Sequence, residues 1–199
     1  NVWNSDYKMV QHLGESPSNG VEGHLDSTLN NNDGTPYNFD GVATSTTDGT
    51  GKIDGADVFD GSDDYVEVSD DSSLENTKTS ISLWIKPSNL TEQKPIICKP
   101  YDWGLNRRQY LLRSFPDNVE FYWVQNGDNQ IGGAFSDLKM NNLDWHHIVI
   151  TADGSTIKGY LDRTQSSTTF SYDGSLQDTS YSLGIGKYKA NTLFNGTID

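Results

Sequence analysis

The sequence predicts an all-β protein, a two-sheet antiparallel β-sandwich, from three features. No stretch of a dozen residues keeps the 3.6-residue apolar period of a helix. Short apolar runs alternate with polar residues and end at turn residues, as half-buried strands do. The 19 Gly, with abundant Asn, Asp, Ser and Thr, suit a chain that turns often. A length of 199 residues fits one such sandwich, so residues 1–199 are expected to form a single domain.

The predicted strands are short runs between turn signals. They are Met9–Leu13, Ala56–Phe59, Tyr65–Val68, Ser80–Lys86, Pro95–Lys99, Gln109–Phe115, Val119–Gln125, Gly133–Phe135, His146–Ala152, Ser155–Leu161, Thr168–Tyr172, Tyr181–Ile185 and Phe194–Ile198. In Ser80–Lys86, the apolar Ile81, Leu83 and Ile85 fall on one face, as a half-buried strand requires.

Two connections carry clear signals. Asp153-Gly154 joins two alternating runs and tolerates positive φ, which predicts an antiparallel hairpin. The segment from Gly14 to Lys52 is polar and has little periodicity. A loop of that length inside a compact domain is usually functional or held by an ion.

The charge distribution excludes one class of partner and suggests another. The net charge is −14, and the 28 acidic residues comprise 22 Asp and 6 Glu. Asp suits turns and oxygen-rich cation sites, although most of these residues are expected simply to be solvated. Nucleic acid is excluded as a partner, because the 14 Lys and Arg are scattered along the chain.

Cys98 is the lone cysteine, so no intrachain disulfide can form. Its apolar neighbours predict a buried hydrophobic role rather than a catalytic thiol. The sequence has no apolar segment of membrane-spanning length, so no membrane insertion is expected.

Several segments, in order along almost the whole chain, resemble the laminin G-like, concanavalin A-like jelly-roll domains of prokaryotic surface proteins. They are Val10–Leu13, Asp26–Thr35, Gly51–Ala56, Phe59–Val66, Ile81–Pro87, Trp145–Gly154 and Phe194–Asp199. The resemblance implies a secreted or cell-surface domain excised from a larger multidomain protein. Two departures stand out: relatives continue with a final strand beyond Asp199, and Tyr101–Arg108 follows no family pattern.

Calcium is the expected cofactor. The Asp26–Thr35 loop is dense in the oxygen ligands that Ca²⁺ prefers. The resemblance implies a structural calcium that ties this loop to the end of the domain, with Asp26 and Asp199 as side-chain ligands and Asn31 or Asn32 adding an oxygen. The alternative is that the Asn-rich run only makes turns. The Asp60–Asp64 segment could hold a second ion but is interpreted as a turn.

Carbohydrate is the leading ligand class. Sugar binding needs an exposed aromatic ring and forked polar groups, and Tyr101, Trp103 and Arg107 lie together in one short segment. Tyr122 and Trp123 follow on a strand, where neighbours point to opposite faces, so at most one of them faces the core. The alternative for these aromatics is burial in the core.

Catalysis is not expected, because the paired carboxylates of glycosidases are missing from any single strand and Glu120 stands alone on its own. A calcium-stabilised extracellular binding module is therefore predicted. Two alternatives stay open. One is an adhesion or spacer domain that binds another surface protein, and the other is a polysaccharide-degrading enzyme whose acid pair comes from separate strands.

Overall fold

The computed structural model describes residues 2–15, 23–39, 51–53, 55–102, 107–189 and 192–199, without the side chains of residues 101, 102, 107 and 189. Within these ranges the regular structure is β-strand, apart from a 3₁₀ turn at Ser72–Leu74. The strands are β1 (Gly34–Tyr37), β2 (Asp57–Asp60), β3 (Tyr65–Val68), β4 (Thr79–Pro87), β5 (Lys94–Asp102), β6 (Arg107–Phe115), β7 (Asn118–Gln125), β8 (Asn129–Phe135), β9 (His146–Ala152), β10 (Thr156–Leu161), β11 (Thr164–Ser171), β12 (Leu183–Ile185), β13 (Lys187–Lys189), β14 (Thr192–Leu193) and β15 (Asn195–Ile198).

The strands form two main sheets in which neighbours run antiparallel. The seven-stranded sheet has the order β1-β3-β12-β5-β6-β7-β8, and the six-stranded sheet has the order β11-β10-β9-β4-β15-β2. The small hairpin β13–β14 lies against β5. The predicted fold class, a two-sheet antiparallel β-sandwich of the jelly-roll kind, is confirmed.

One hydrophobic cluster fills the space between the two sheets. Phe121 and Trp123 enter it from the seven-stranded sheet, and Ile85 and Ile148 enter it from the six-stranded sheet. Burying a side chain of this size stabilises a fold by roughly 1.5–3 kcal/mol relative to leaving it exposed. The alternation predicted for Ser80–Lys86 is confirmed, since Ile85 is fully buried between the half-buried Trp84 and the exposed Lys86.

The predicted hairpin at Asp153-Gly154 is confirmed. Strands β9 and β10 pair antiparallel around it. Gly154 has a φ of 101°, which L side chains rarely adopt. The Asp153 carboxylate accepts hydrogen bonds from the amides of Ser155 and Thr156, at 2.9 and 2.8 Å, and so fixes the turn.

The N-terminal segment departs from the prediction, because Met9–Leu13 is not a strand. The amide of Val10 donates to the Asp26 carboxylate, and its carbonyl accepts from the amide of Ser27. These loop contacts occupy groups that a neighbouring strand would need. Leu13 also has a positive φ of 50°, which ends the extended conformation.

Two strand pairings were not predicted. Strand β1 lies inside the long polar segment and pairs with β3. The β13–β14 hairpin follows β12 directly. Both elements are short and are stabilised by their neighbours, β1 by pairing with β3 and the β13–β14 hairpin by contact with β5, rather than by their own periodicity.

A buried charged pair lies where the N-terminal segment meets β2. His24 Nε2 is 2.8 Å from Asp57 Oδ2, and neither side chain is exposed to solvent. This is an ionic contact rather than an aligned hydrogen bond, and Asp57 Oδ1 has no hydrogen-bond partner among the residues that the structure describes. On the other side of the imidazole, Nδ1 lies 3.4 Å from Glu15 Oε2.

Lys99 carries a second buried charge, at the end of the sandwich that holds the 3₁₀ turn. Its Nζ lies 2.5 Å from Asp70 Oδ1 and 3.1 Å from Glu75 Oε1. It also donates to the carbonyls of Thr179 and Tyr181, at 3.3 and 2.9 Å. Through these contacts the fully buried ammonium links the residues that flank the 3₁₀ turn and the loop before β12 to strand β5.

Candidate functional site

The outer face of the seven-stranded sheet carries a cluster of arginine and tyrosine side chains. On β7, Phe121 and Trp123 point into the core, so Glu120 and Tyr122 point outward. The register pairs Tyr122 with Leu111 of β6, and Glu120 with Arg113. Strand alternation therefore places Glu120, Tyr122 and Arg113 side by side on this outer face.

Arg113, Glu120 and Tyr122 form one network. Both Nε and Nη2 of Arg113 lie 2.7 Å from Glu120 Oε2. The Tyr122 hydroxyl donates to the same oxygen at 3.1 Å. The Arg113 guanidinium also lies over the Tyr122 ring, 5.1 Å from its centroid. Glu120 therefore neutralises Arg113 and fixes its orientation.

Arg108 approaches the same ring from the start of β6. Its guanidinium carbon lies 4.7 Å from the Tyr122 ring centroid. Its Nη1 donates to the Tyr188 hydroxyl at 2.5 Å, and its Nη2 donates to Gln130 Oε1 at 2.9 Å. Two guanidinium groups, those of Arg108 and Arg113, therefore lie over the Tyr122 ring.

We define the arginine–tyrosine cluster as Arg108, Arg113, Glu120, Tyr122, Gln130 and Tyr188. The β13–β14 hairpin borders one side of it through Tyr188. Tyr188 packs on Cys98 and Leu111, and Tyr122 packs against the same small apolar group. Burial raises the pKa of the Cys98 thiol to about 12. Cys98 is thus a buried apolar support of the cluster, as its sequence neighbours predict.

The predicted ligand-binding residues divide into three groups. Tyr122 lies on the outer face, inside the cluster. Trp123 is fully buried, and its Nε1 donates to the carbonyl of Ser175 at 2.8 Å. The prediction that Trp123 contacts a ligand is therefore wrong, and the core alternative is right.

Trp103 lies outside the described residues. Tyr101 and Arg107 lie near the facing ends of β5 and β6, but their side chains are also outside the description. The structure therefore leaves the predicted ligand role of these three residues as a prediction.

The loop predicted to bind calcium is organised by Asp26. Its Oδ1 accepts from the amides of Val10 and Thr28, both at 2.9 Å. Its Oδ2 accepts from the Thr28 hydroxyl at 2.7 Å and from the amide of Asn32 at 3.0 Å. An ionised carboxylate offers about four acceptor sites, and protein donors fill all four here. Asp26 therefore does not fit the role of a side-chain calcium ligand.

The other predicted metal ligands lie in two places. Asn31 has a left-handed φ of 55° beside Asn32, whose side-chain amide donates to the Lys8 carbonyl at 2.7 Å. Asp199 Oδ2 accepts from the amides of Lys52 and Ile53, while its Oδ1 accepts no hydrogen bond within the described ranges. Across those same ranges, no hydrogen bond joins the Asn31–Asn32 turn to Asp199.

Asp60, Asp63 and Asp64 place carboxylate oxygens within 4.8 Å of one another. Asp60 Oδ1 accepts from the amide of Ser62 at 2.6 Å, and Asp64 Oδ2 accepts from the amide of Asp60 at 2.8 Å. Burial raises the pKa of Asp64 to about 6. These are the hydrogen bonds of a turn between β2 and β3, in keeping with the interpretation of this segment from sequence.

An open depression of about 420 Å³ lies beside the buried Lys99. Its carboxylates are engaged within the protein, Asp70 with Lys99 and Asp178 with Glu75. The lining residues are Asp70, Asp178, Thr179, Ser180 and Tyr181. We attribute this surface to the support of Lys99 rather than to ligand binding.

Comparison with known proteins identifies a family and several similar structures. A laminin G-like family model, described as the concanavalin A-like lectin/glucanases superfamily, matches residues 60–199. No curated protein sequence matches the chain. No described segment forms a helix with the length and apolar character needed to traverse a bilayer.

Three solved structures illustrate the similarity in fold. Domain 4 of an extracellular GH43 arabinanase from Geobacillus stearothermophilus, solved with arabinotriose, is 22% identical with a TM-score of 0.62, over 88% of this chain and 83% of that one. The CBM40 of the Ruminococcus gnavus IT-sialidase, bound to α2,3-sialyllactose, is 10% identical with a TM-score of 0.56, over 72% and 85%. The receptor-binding domain of botulinum neurotoxin D is 14% identical with a TM-score of 0.58, over 94% and 46%.

Proposed function

Because the chain belongs to the concanavalin A-like lectin/glucanases superfamily, we propose that it is a carbohydrate-binding module. The proposed ligand surface is the outer face of the seven-stranded sheet. The observation that carries the proposal is the arginine–tyrosine cluster, in which two guanidinium groups are fixed around Tyr122. Sugar hydroxyls and ring oxygens need donors held in fixed positions, and this cluster supplies them.

The similar structures support this proposal. The arabinanase domain was solved with arabinotriose, and the sialidase module was solved with sialyllactose. The sialidase structure is named a carbohydrate-binding module, and the arabinanase structure is domain 4 of that enzyme. We propose a secreted or cell-surface location for this chain as well, and the arabinanase is itself described as extracellular.

The state of Glu120 argues against the enzymatic alternative. A glycosidase needs one protonated carboxyl group and one free carboxylate on either side of the scissile bond. Glu120 Oε2 instead accepts from Arg113 and from the Tyr122 hydroxyl. We therefore propose that Glu120 positions Arg113 rather than transferring a proton.

Calcium is retained as a proposal for Asp199, whose Oδ1 is free of hydrogen bonds from the described residues. Asn31 and Asn32 would add oxygens only if their turn met Asp199. The test is a thermal melt with calcium and with EDTA. A ligand that binds only the native state must raise the midpoint, so an unmoved midpoint overturns the calcium proposal.

Glycan-array binding followed by calorimetric titration tests the proposed function. Tyr122→Leu should abolish binding, because it removes the side chain on which both guanidinium groups rest. Tyr181→Leu is the matched control, since this half-exposed tyrosine lies away from the cluster, beside Lys99. Equal loss in both variants, or no binding to any glycan, would contradict the proposal and favour the adhesion or spacer alternative.

A further inference from the structure

The chain contains two Asn-X-Thr triplets, the acceptor pattern for N-linked glycosylation. They are Asn89-Leu90-Thr91 and Asn195-Gly196-Thr197. In a chain rich in asparagine such triplets arise by chance, so the pattern alone does not identify a modified residue. The structure distinguishes the two, because an attached glycan is bulky and must extend into solvent from the side-chain nitrogen.

Asn89 lies in the loop between β4 and β5. Its Oδ1 accepts from the amide and from the hydroxyl of Thr91, both at 3.2 Å, so the triplet forms an Asx turn. Its Nδ2 makes no hydrogen bond to the residues that the structure describes. Asn89 is partly exposed and Thr91 is exposed. The nitrogen that would carry a glycan is therefore not used to hold the described part of the fold.

The neighbours of Asn89 hold the loop in place. On one side, the amide of Ser88 donates to the carbonyl of Asn195 at 3.1 Å. On the other side, Leu90 packs against the hydrophobic core. The triplet is thus anchored by its backbone and by Leu90, and a group added at Asn89 Nδ2 would disturb neither contact.

Asn195 is placed differently. It lies on β15, between β2 and β4. Its Nδ2 donates to the carbonyl of Asp60 at 2.9 Å. A Cβ added to Gly61 would lie 2.7 Å from the same nitrogen, so the turn after β2 packs directly against it. A glycan on Asn195 would have to displace this turn from β15.

We infer that Asn89 is a site of N-linked glycosylation and that Asn195 is not. This inference rests on the secreted or cell-surface location that accompanies the proposed function, because the acceptor triplet is used in secreted proteins. The donor is a lipid-linked oligosaccharide. A bond forms between Asn89 Nδ2 and the anomeric carbon of the first sugar, the bond from that carbon to the lipid phosphate breaks, and the nitrogen loses one proton.

Secretion of the whole chain from yeast, which supplies the donor and the transferase, tests the inference. The folded protein is purified, and its intact mass is measured before and after treatment with peptide-N-glycosidase. This enzyme leaves aspartate at a modified position, so peptide mass spectrometry then identifies the site. We expect a glycan at Asn89 and none at Asn195.

Four variants locate the modification. Asn89→Gln and Thr91→Ala should each abolish it, the second because it removes the hydroxyl of the triplet while keeping Asn89. Thr91→Ser should retain it, because the hydroxyl is kept. Asn195→Gln is the matched control and should leave the mass of the attached glycan unchanged. Urea unfolding of each variant confirms that the secreted chain is folded.

The outcomes separate this inference from the proposed function. A folded, secreted chain without a glycan, or with a glycan at Asn195 instead of Asn89, overturns the inference, and so does a glycan that persists in Asn89→Gln. Binding to the glycan array is measured on chain produced in bacterial cytoplasm, without the modification. An unmodified Asn89 with normal array binding overturns only the modification, whereas a modified Asn89 without array binding overturns only the carbohydrate-binding role.

Discussion

Replacing Lys99 with Met should destabilise the protein by about 3 kcal/mol, the lower end of the cost of removing one partner from a buried ion pair. The side chain of Lys99 is fully buried, and its ammonium contacts two carboxylates and two carbonyls. Met reproduces the Lys side chain as far as Cε and lacks the ammonium group, so it leaves Asp70 and Glu75 without their cation. We take the lower end because Asp70 is about one third exposed, so water compensates part of the loss.

Urea unfolding followed by tryptophan fluorescence measures this change, and the buried Trp123 is a natural reporter of core packing. The slope of free energy against urea should match that of the wild type, since the fold is the same. Lys86→Met is the control, because an exposed lysine away from special features should alter stability by less than about 0.5 kcal/mol.

The loss of stability caused by Lys99→Met should be larger near neutral pH than in acid. Burial, followed by the neighbouring Asp178, raises the pKa of Glu75 above its ordinary value, despite the opposing effect of Lys99. A group with a raised pKa in the folded state contributes stability below its unfolded pKa, and this stability is lost as the pH rises through the folded value. Without Lys99 the pKa of Glu75 rises further, so the gap between variant and wild type should be widest near neutral pH. It should narrow as acid protonates Glu75. A loss below about 1 kcal/mol at neutral pH, or a gap that widens in acid, would refute this reasoning.

Three further predictions concern other buried groups. His24→Leu should destabilise the fold by about 3–5 kcal/mol in urea unfolding, because it leaves the buried Asp57 carboxylate without its charged partner. The double variant His24→Leu/Asp57→Leu should recover much of that loss. A double variant as unstable as the single one would contradict this. Asp26→Ala should lower the free energy of unfolding by about 2 kcal/mol or more in the same assay, because it leaves several backbone donors of the loop unpaired. A change within about 0.5 kcal/mol, the usual scatter of surface substitutions, would show that the stability of the loop does not depend on Asp26. Cys98 should resist a thiol reagent such as iodoacetamide at neutral pH until the protein unfolds, since burial raises its pKa to about 12, and rapid labelling of the native protein would contradict its placement.

The strands that were predicted correctly are those whose own residues alternate between apolar and polar side chains. Tyr65–Val68 and His146–Ala152 were predicted with the bounds that the structure has, because each has a clear two-residue alternation. Met9–Leu13 has similar apolar content but is not a strand, because Asp26 takes the Val10 amide. That contact spans distant positions, and no local pattern reports it.

Part of the candidate site could likewise be predicted from the sequence, and part could not. Strand alternation alone was enough to state that Tyr122 and Trp123 face opposite ways, but not which of them faces the core. That choice depends on the register of β7 with β6, which pairs Tyr122 with Leu111 on the outer face. Tyr188 could not have been associated with Arg108 from sequence, because it reaches the cluster only through the position of the β13–β14 hairpin.

The place of β15 in the six-stranded sheet constrains the order in which the molecule can assemble. This strand lies between β4 and β2. Among the described strands, β2 pairs with its sheet only through β15, which follows it by more than a hundred residues. Contacts between such distant parts of a chain slow folding, because a large loop must close before they form. We therefore expect the pairing of β2 with β15 to be a late step in folding.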